Sequence, residues 1–214
     1  MTGVESLYPF LYGGGDGGDV TAVLTEVRRS TVDKAAEIVA LRQRMAVEYA
    51  DRLAACAAAM AASFRAGGRL FTFGNGGSST DAQAVAQLFL DPGPDWRALP
   101  AVALTTDVAV VTALSNDVGF EVVFARQLAA FARAGDIAMG LSTSGGSANV
   151  LRAFDAATRL GLVTVGFAGS DGGRMAAAGT IGHLFVVPSE SVHRIQEAQT
   201  TTYHVLWELT QSAL

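Results

Sequence analysis

The chain has 214 residues, of which 50% are hydrophobic and 16% charged, with a formal net charge of −5. Disorder is excluded, because it goes with low hydrophobicity and high net charge, and the acidic balance leaves no basic surplus for binding nucleic-acid phosphates directly. Its single cysteine, Cys56, can form neither an internal disulfide nor a thiolate zinc cage, and reads as a small buried hydrophobe in a reduced compartment.

In chain order, residues 1–18 end in GGGDGG and read as a flexible glycine-rich arm. This start lacks the basic region and long apolar run of a signal peptide. No apolar run reaches the roughly 20 residues of a membrane span. A cytoplasmic protein without membrane contact is expected. Residues 19–214 read as one domain, with helices over 19–67 and an α/β core with a C-terminal helix over 68–214. In the first part Val23, Val27, Ile38, Leu41, Met45 and Leu53 recur at three- or four-residue steps or their sums, which is helix periodicity. Two helices are expected there, with a break near Arg29–Val32, and Gly67-Gly68 closes the segment as a C-cap would.

Past Gly68, short apolar runs alternate with amphipathic segments of helix length. The runs, expected as strands, are Leu70–Phe73, Ala101–Leu104, Ile137–Leu141, Val163–Phe167 and His183–Val187. Helices are expected near Ser79–Leu90, Val108–Leu114, Phe120–Ala134, Ala148–Leu160 and Gly173–Ala178, and from His193 to the C-terminus. Continuous apolar strands separated by helices imply a parallel sheet covered on both faces. The expected fold is a three-layer α/β/α sandwich with a five-stranded parallel sheet. Ligands bind outside the carboxyl ends of such strands.

Two loops of unusual composition fall there. GNGGSST (Gly74–Thr80) follows LFTF, and STSGGS (Ser142–Ser147) follows IAMGL. Glycines let a backbone approach a ligand, hydroxyls donate hydrogen bonds, and helix N-termini favour anions. Neither loop holds Lys or Arg, which suits a monophosphate held by neutral donors better than a triphosphate with magnesium. The first loop lacks the third glycine of G-x-G-x-x-G and the G-K-[ST] of a Walker loop, and Ser144 does not sit in G-x-S-x-G.

These loops resemble a known family. GNGGSSTDAQ, ALTTD, LSNDVGFEVVFARQ, LSTSGGSANVLRAFDAA, GFAGSDGGRMA, VVPS and RIQEAQ are similar, in order and spacing, to the SIS (sugar isomerase) domain. Within it they resemble the phosphoheptose isomerase group, which also contains the DnaA initiator-associating protein. The resemblance implies a homotetramer with sugar-phosphate sites between subunits. It places phosphate at Ser78, Ser142, Thr143, Ser144 and Ser147, and the sugar at Asn75, Asp117 and Gln196.

Members of that group interconvert sedoheptulose 7-phosphate and a heptose 7-phosphate through an enediol, which needs a base at carbon and an acid at oxygen. Many bind zinc through a His and a Glu on one helix and a Gln and a His on the last. Here the first pair falls on Ala84 and Leu88, and only Gln196 and His204 remain. No cofactor is expected, zinc included. His204 is the candidate acid, and Glu197, beside Gln196, a candidate catalytic carboxylate. Asp81 reads as a partner for the helix N-terminus that could replace the base. Glu121 reads as a capping or solvated residue. A buried structural role for His204 stays open. His193 reads as a helix-start residue that could reach the site, His183 as structural, and Trp96 and Trp207 as buried. The expected function is sugar-phosphate binding with the family His and Glu missing. The alternatives are an isomerase with a relocated base, or a regulatory tetramer like the DnaA initiator-associating protein.

Overall fold

The computed structural model describes residues 20–214, and the expected arm lies outside them. The first element is one continuous helix, α1 (Val20–Arg65), where two were expected. No Gly or Pro occurs within it, so nothing near Arg29–Val32 removes a helix hydrogen bond or favours another backbone conformation. Contacts divide the chain after Val39. In the first unit the described side chains are nearly all exposed. In the second, α1 buries Met45, Tyr49, Leu53, Cys56, Met60 and Phe64 at three- and four-residue steps.

The strands are β1 (Leu70–Gly74), β2 (Ala101–Ala103), β3 (Ile137–Leu141), β4 (Val163–Gly169) and β5 (His183–Val187). They form one parallel sheet in the order β2-β1-β3-β4-β5. Every residue of β1 and β3 is buried, which is why those runs are apolar throughout rather than alternating. The helices are α2 (Gly77–Leu90), α3 (Val108–Asp117), α4 (Val123–Phe131), α5 (Ala148–Arg159), α6 (Gly173–Ala177) and α7 (Val192–Ser212). The helix expected over Phe120–Ala134 is instead a 3-10 turn, Phe120–Val122, followed by α4. It stops short because the Asp136 carboxylate draws off the Arg133 N–H at 2.9 Å. No helix among the described residues is long and apolar enough to cross a membrane.

Alternate residues of β1 enter opposite layers. Phe73 packs against Phe124 of α4 and Phe154 of α5, with centroids 5.5 and 5.4 Å away. Such pairs contribute roughly 0.5–1.5 kcal/mol beyond their burial. On the other face the Thr72 hydroxyl donates to the Ala82 carbonyl of α2 at 2.6 Å, and Phe185 stacks on Phe167 and meets Tyr49 edge-on. β5 is an edge strand, and α1 covers its backbone. The Tyr49 hydroxyl both donates to the Val186 carbonyl and accepts from the Val186 N–H, each at 3.1 Å. Arg52 donates to the Leu184 carbonyl at 2.7 Å. An edge closed in this way offers no template to another strand.

From β1 the chain runs to β2 on one side of it, then crosses to β3 on the other. The order therefore reverses between β1 and β3. The loops leaving these two strands diverge, and a crevice opens at their carboxyl ends.

Candidate functional site

The two loops picked out by composition flank this crevice. After β1 the chain turns through Asn75 and Gly76, and α2 opens at Gly77. That is two residues earlier than expected, so buried Ser78 lies in the first turn. The Ser78 and Ser79 N–H groups donate to the Asn75 and Gly76 carbonyls at 3.0 and 2.9 Å. After β3, the Ser142 N–H donates to the Phe167 carbonyl at 2.9 Å. The buried Ser142 hydroxyl lies 3.2 Å from that of Ser147. Thr143 is half-buried and Ser144 exposed, with the Ser144 hydroxyl accepting from the Gly146 N–H at 3.2 Å. Among the described residues, the N–H groups of Ser144, Gly145 and Ser147 make no hydrogen bond.

An amide pair joins the loops. Asn75 Nδ2 donates to Asn149 Oδ1 and Asn149 Nδ2 to Asn75 Oδ1, both at 2.8 Å. Asn149 Oδ1 also accepts the Val150 N–H at 3.0 Å. Asn75, expected at the sugar, is thus first a tie between the loops, with one N–H and one lone pair left over for a ligand.

The turn after β4 presses on the second loop. The Gly145 carbonyl accepts from the Met175 N–H at 2.9 Å, and the Gly146 carbonyl accepts from the Arg174 guanidinium. Gly145 has φ +62°, and a Cβ there would strike the Gly172 carbonyl, so only glycine fits. With these carbonyls tied back, the loop's free N–H groups are left for an anion.

On the α2–α7 side, Gln196 donates to Asp81 Oδ2 at 2.9 Å, and its amide lies against Gly77, where a Cβ would collide with it. Burial pushes the half-buried Asp81 carboxyl up, and the Gln196 bond pulls it partly back. Asp81 therefore pairs with α7 rather than serving only its own helix N-terminus. Burial also raises Tyr203; the Thr200 hydrogen bond opposes this and the Asp81 charge adds to it.

The remaining candidates are scattered. His204 is exposed, not buried, with Nδ1 at 2.8 Å from the Thr200 carbonyl and its ring stacked on Tyr203. Glu197 is exposed and paired with Arg194. Asp117 is exposed and accepts from Asn116 at 2.8 Å, and among the described residues it bonds neither loop. Ala84 is exposed and Leu88 half-buried. His193 is exposed, and His183 is half-buried at the sheet edge, where burial and Arg52 lower its pKa. Glu121 pairs with Arg152 at 3.1 Å. Trp96 is 40% exposed, against expectation, because it covers Trp207 from the solvent side with centroids 5.2 Å apart.

A zinc ion would need donors this arrangement lacks. Ala84 and Leu88 offer none, which leaves at most two donors, the Gln196 amide oxygen and His204 Nε2, since Gln196 Nε2 is bonded to Asp81 and His204 Nδ1 to a backbone carbonyl. Among the described residues no three His, Cys, Asp or Glu side chains gather as ligands. The residues present do not fit the ion.

Comparison with known proteins bears on this geometry. Residues 35–169 match the SIS domain model. The chain belongs to the SIS domain family. The phosphoheptose isomerase of Desulfovibrio desulfuricans is 46% identical over 172 residues, 79% of this chain and 80% of that protein. That of Roseiflexus is 41% identical over 190 residues, 87% of this chain and 94% of that one. The structure of phosphoheptose isomerase GmhA from Neisseria gonorrhoeae matches with a TM-score of 0.80 at 34% identity, covering 87% of this chain and 99% of that one. This SIS protein thus falls in the phosphoheptose isomerase group, with the five-stranded fold expected for it.

Sequence reasoning on this SIS protein missed two residues beside the crevice, Asn149 and Arg174, and the pairing of Asp81 with Gln196. Asn149 stands just after the second loop, where its place in the first turn of α5 was available as a signal. Arg174 lies 32 residues past the start of that loop at Ser142, beyond α5 and β4, and only the fold brings it there.

Proposed function

We propose that this SIS protein binds a sugar phosphate in the crevice between the β1 and β3 loops, and that it does not carry out the isomerase proton transfer through the helix pair its relatives' group uses. The observation that carries the binding half is the amide tie. Asn75 and Asn149 hold together two loops that present the Ser78, Ser142, Thr143, Ser144 and Ser147 hydroxyls. Neutral donors at a sheet switch point suit a phosphate monoester. The other half rests on Ala84 and Leu88, which carry no group able to move a proton. Asn75, Gln196 and Asp117 would meet the sugar.

The expected assembly is a cytoplasmic homotetramer. A groove of about 330 Å³ between α1 and α7, lined by Met45, Leu53, Val205 and Leu209, supports coverage by a second copy. One observation favours a second reading, an isomerase with a relocated base. Asp81 is a half-buried carboxyl with a raised pKa, next to Gln196. His204 would then be the acid, and Glu197, already paired with Arg194, the weaker candidate base.

The binding test is proton NMR of sedoheptulose 7-phosphate with added protein. Line broadening that an excess of inorganic phosphate reverses is the expected result. Sharp lines at all protein concentrations would reject this sugar as the ligand.

A further inference from the structure

We propose that Arg174 supplies the positive charge that the phosphate loops lack, and so selects the dianionic form of a phosphate monoester; this rests on the sugar-phosphate reading above. Neither loop contains Lys or Arg. A bound dianion would otherwise meet only neutral donors, which place it without balancing its charge. The turn after β4 brings one cation to the loop. The Arg174 guanidinium donates to the Gly146 carbonyl, between Ser144 and Ser147. Its side chain is exposed, and among the described residues it forms no ion pair. The carboxylate nearest to it in sequence, Asp171, turns away to accept the Gly173 N–H at 2.9 Å. Of the five guanidinium N–H donors, the Gly146 carbonyl leaves several for another acceptor. The planar fork of those donors matches phosphate oxygens.

The placement of this arginine is built into the backbone. Met175 N–H holds the Gly145 carbonyl at 2.9 Å, and the Gly172 carbonyl leaves no room for a side chain at Gly145. Ser170, at the root of the turn, has φ 57° without being glycine. Its hydroxyl donates to Glu190 Oε1 at 2.7 Å, and its N–H donates to the Ser189 carbonyl at 3.2 Å. A residue held in left-handed backbone by its surroundings fixes the direction of the chain that follows. The competing role for Arg174 is purely mechanical, a pin on the Gly146 carbonyl. The two roles differ in how they respond to ligand charge. A pin affects monoanion and dianion alike, whereas a charge partner acts mainly on the dianion.

The test measures affinity for sedoheptulose 7-phosphate by calorimetry from pH 5 to pH 8, across the second phosphate ionisation near pH 6, in the wild type, Arg174→Gln and Arg174→Lys. Arg174→Gln should weaken binding about tenfold at pH 8, the scale of one charge-assisted hydrogen bond, and far less at pH 5. Arg174→Lys should recover part of the loss, and both variants should melt as the wild type does without ligand. Equal weakening at both pH values, or none, overturns the proposal while the binding reading stands. A wild type that binds at no pH overturns the binding reading itself, and this proposal with it.

Discussion

Asn75 and Asn149 face each other across the sheet switch point and exchange two hydrogen bonds of 2.8 Å. Asn75 leaves β1 and Asn149 opens α5, so this pair sets the distance between the two loops. Because Asn149 is buried, truncating either residue leaves the other amide unpaired. Asn149→Ala should cost about 1–3 kcal/mol. The double variant with Asn75→Ala should cost less than the sum of the single changes. Chemical denaturation of the four proteins checks this. Sugar-phosphate affinity should fall in both single variants, because the loops lose their spacing.

The β5 edge offers a second test. The Tyr49 hydroxyl serves both polar groups of Val186, so Tyr49→Phe removes one atom and leaves two backbone groups without partners. The expected cost is about 1–3 kcal/mol, read from the urea midpoint at unchanged slope. Little change would mean that water replaces the hydroxyl at this edge.

Two carboxylates should respond to pH in opposite senses. Burial raises Asp81 above the usual range, with Gln196 opposing. Its contribution to stability is therefore present below the unfolded value near pH 4 and lost as pH rises through the folded pKa. Asp81→Asn should raise the melting temperature at pH 7 and change little at pH 3. Burial pushes Asp136 up too, but the Arg69 guanidinium and the Arg133 and Arg69 amides outweigh it and hold the carboxyl low. That contribution is present above the unfolded value near pH 4 and lost as pH falls through the folded pKa. Asp136→Asn should cost about 2 kcal/mol at pH 7, less than for a fully buried pair because Arg69 reaches solvent. The difference should shrink in acid. Melting curves at several pH values check both signs.

Restoring donors to α2 tests whether that helix is the one altered. Ala84 and Leu88 stand four residues apart, so Ala84→His with Leu88→Glu puts both new side chains on one helix face. Gln196 and His204 are available on α7. The double variant should gain zinc binding, measured by metal content after dialysis. A folded double variant without metal would show that α2 and α7 do not present these positions to a shared site.

The centre of the fold was legible because β1 and β3 are short apolar runs followed by glycine-rich loops, as in LFTFG and IAMGL, and burial on both faces demands that pattern. The loops of the crevice were legible from composition because two such turns, each joining glycines and hydroxyls at a strand end that opens a helix, occur in one domain. What connects those loops was not legible. Asn149 reads as an ordinary helix-start residue until Asn75 is placed opposite it. Arg174 lies in a different βα unit from Gly146, and their contact follows only from the β3–β4 pairing. The continuity of α1 was missed because polar residues at Arg28–Ser30 interrupt the apolar periodicity without breaking the helix. Exposed segments need no such periodicity.

The proposed function keeps sugar-phosphate binding without the helix pair for proton transfer. The most direct measurement incubates the protein with sedoheptulose 7-phosphate in D₂O, with and without zinc, and follows the proton spectrum. No deuterium entry beside the carbonyl and no aldose are expected, together with line broadening that inorganic phosphate reverses. Deuterium uptake or aldose formation would contradict the proposed function and place a working base in this site, with Asp81→Asn as the first variant to test.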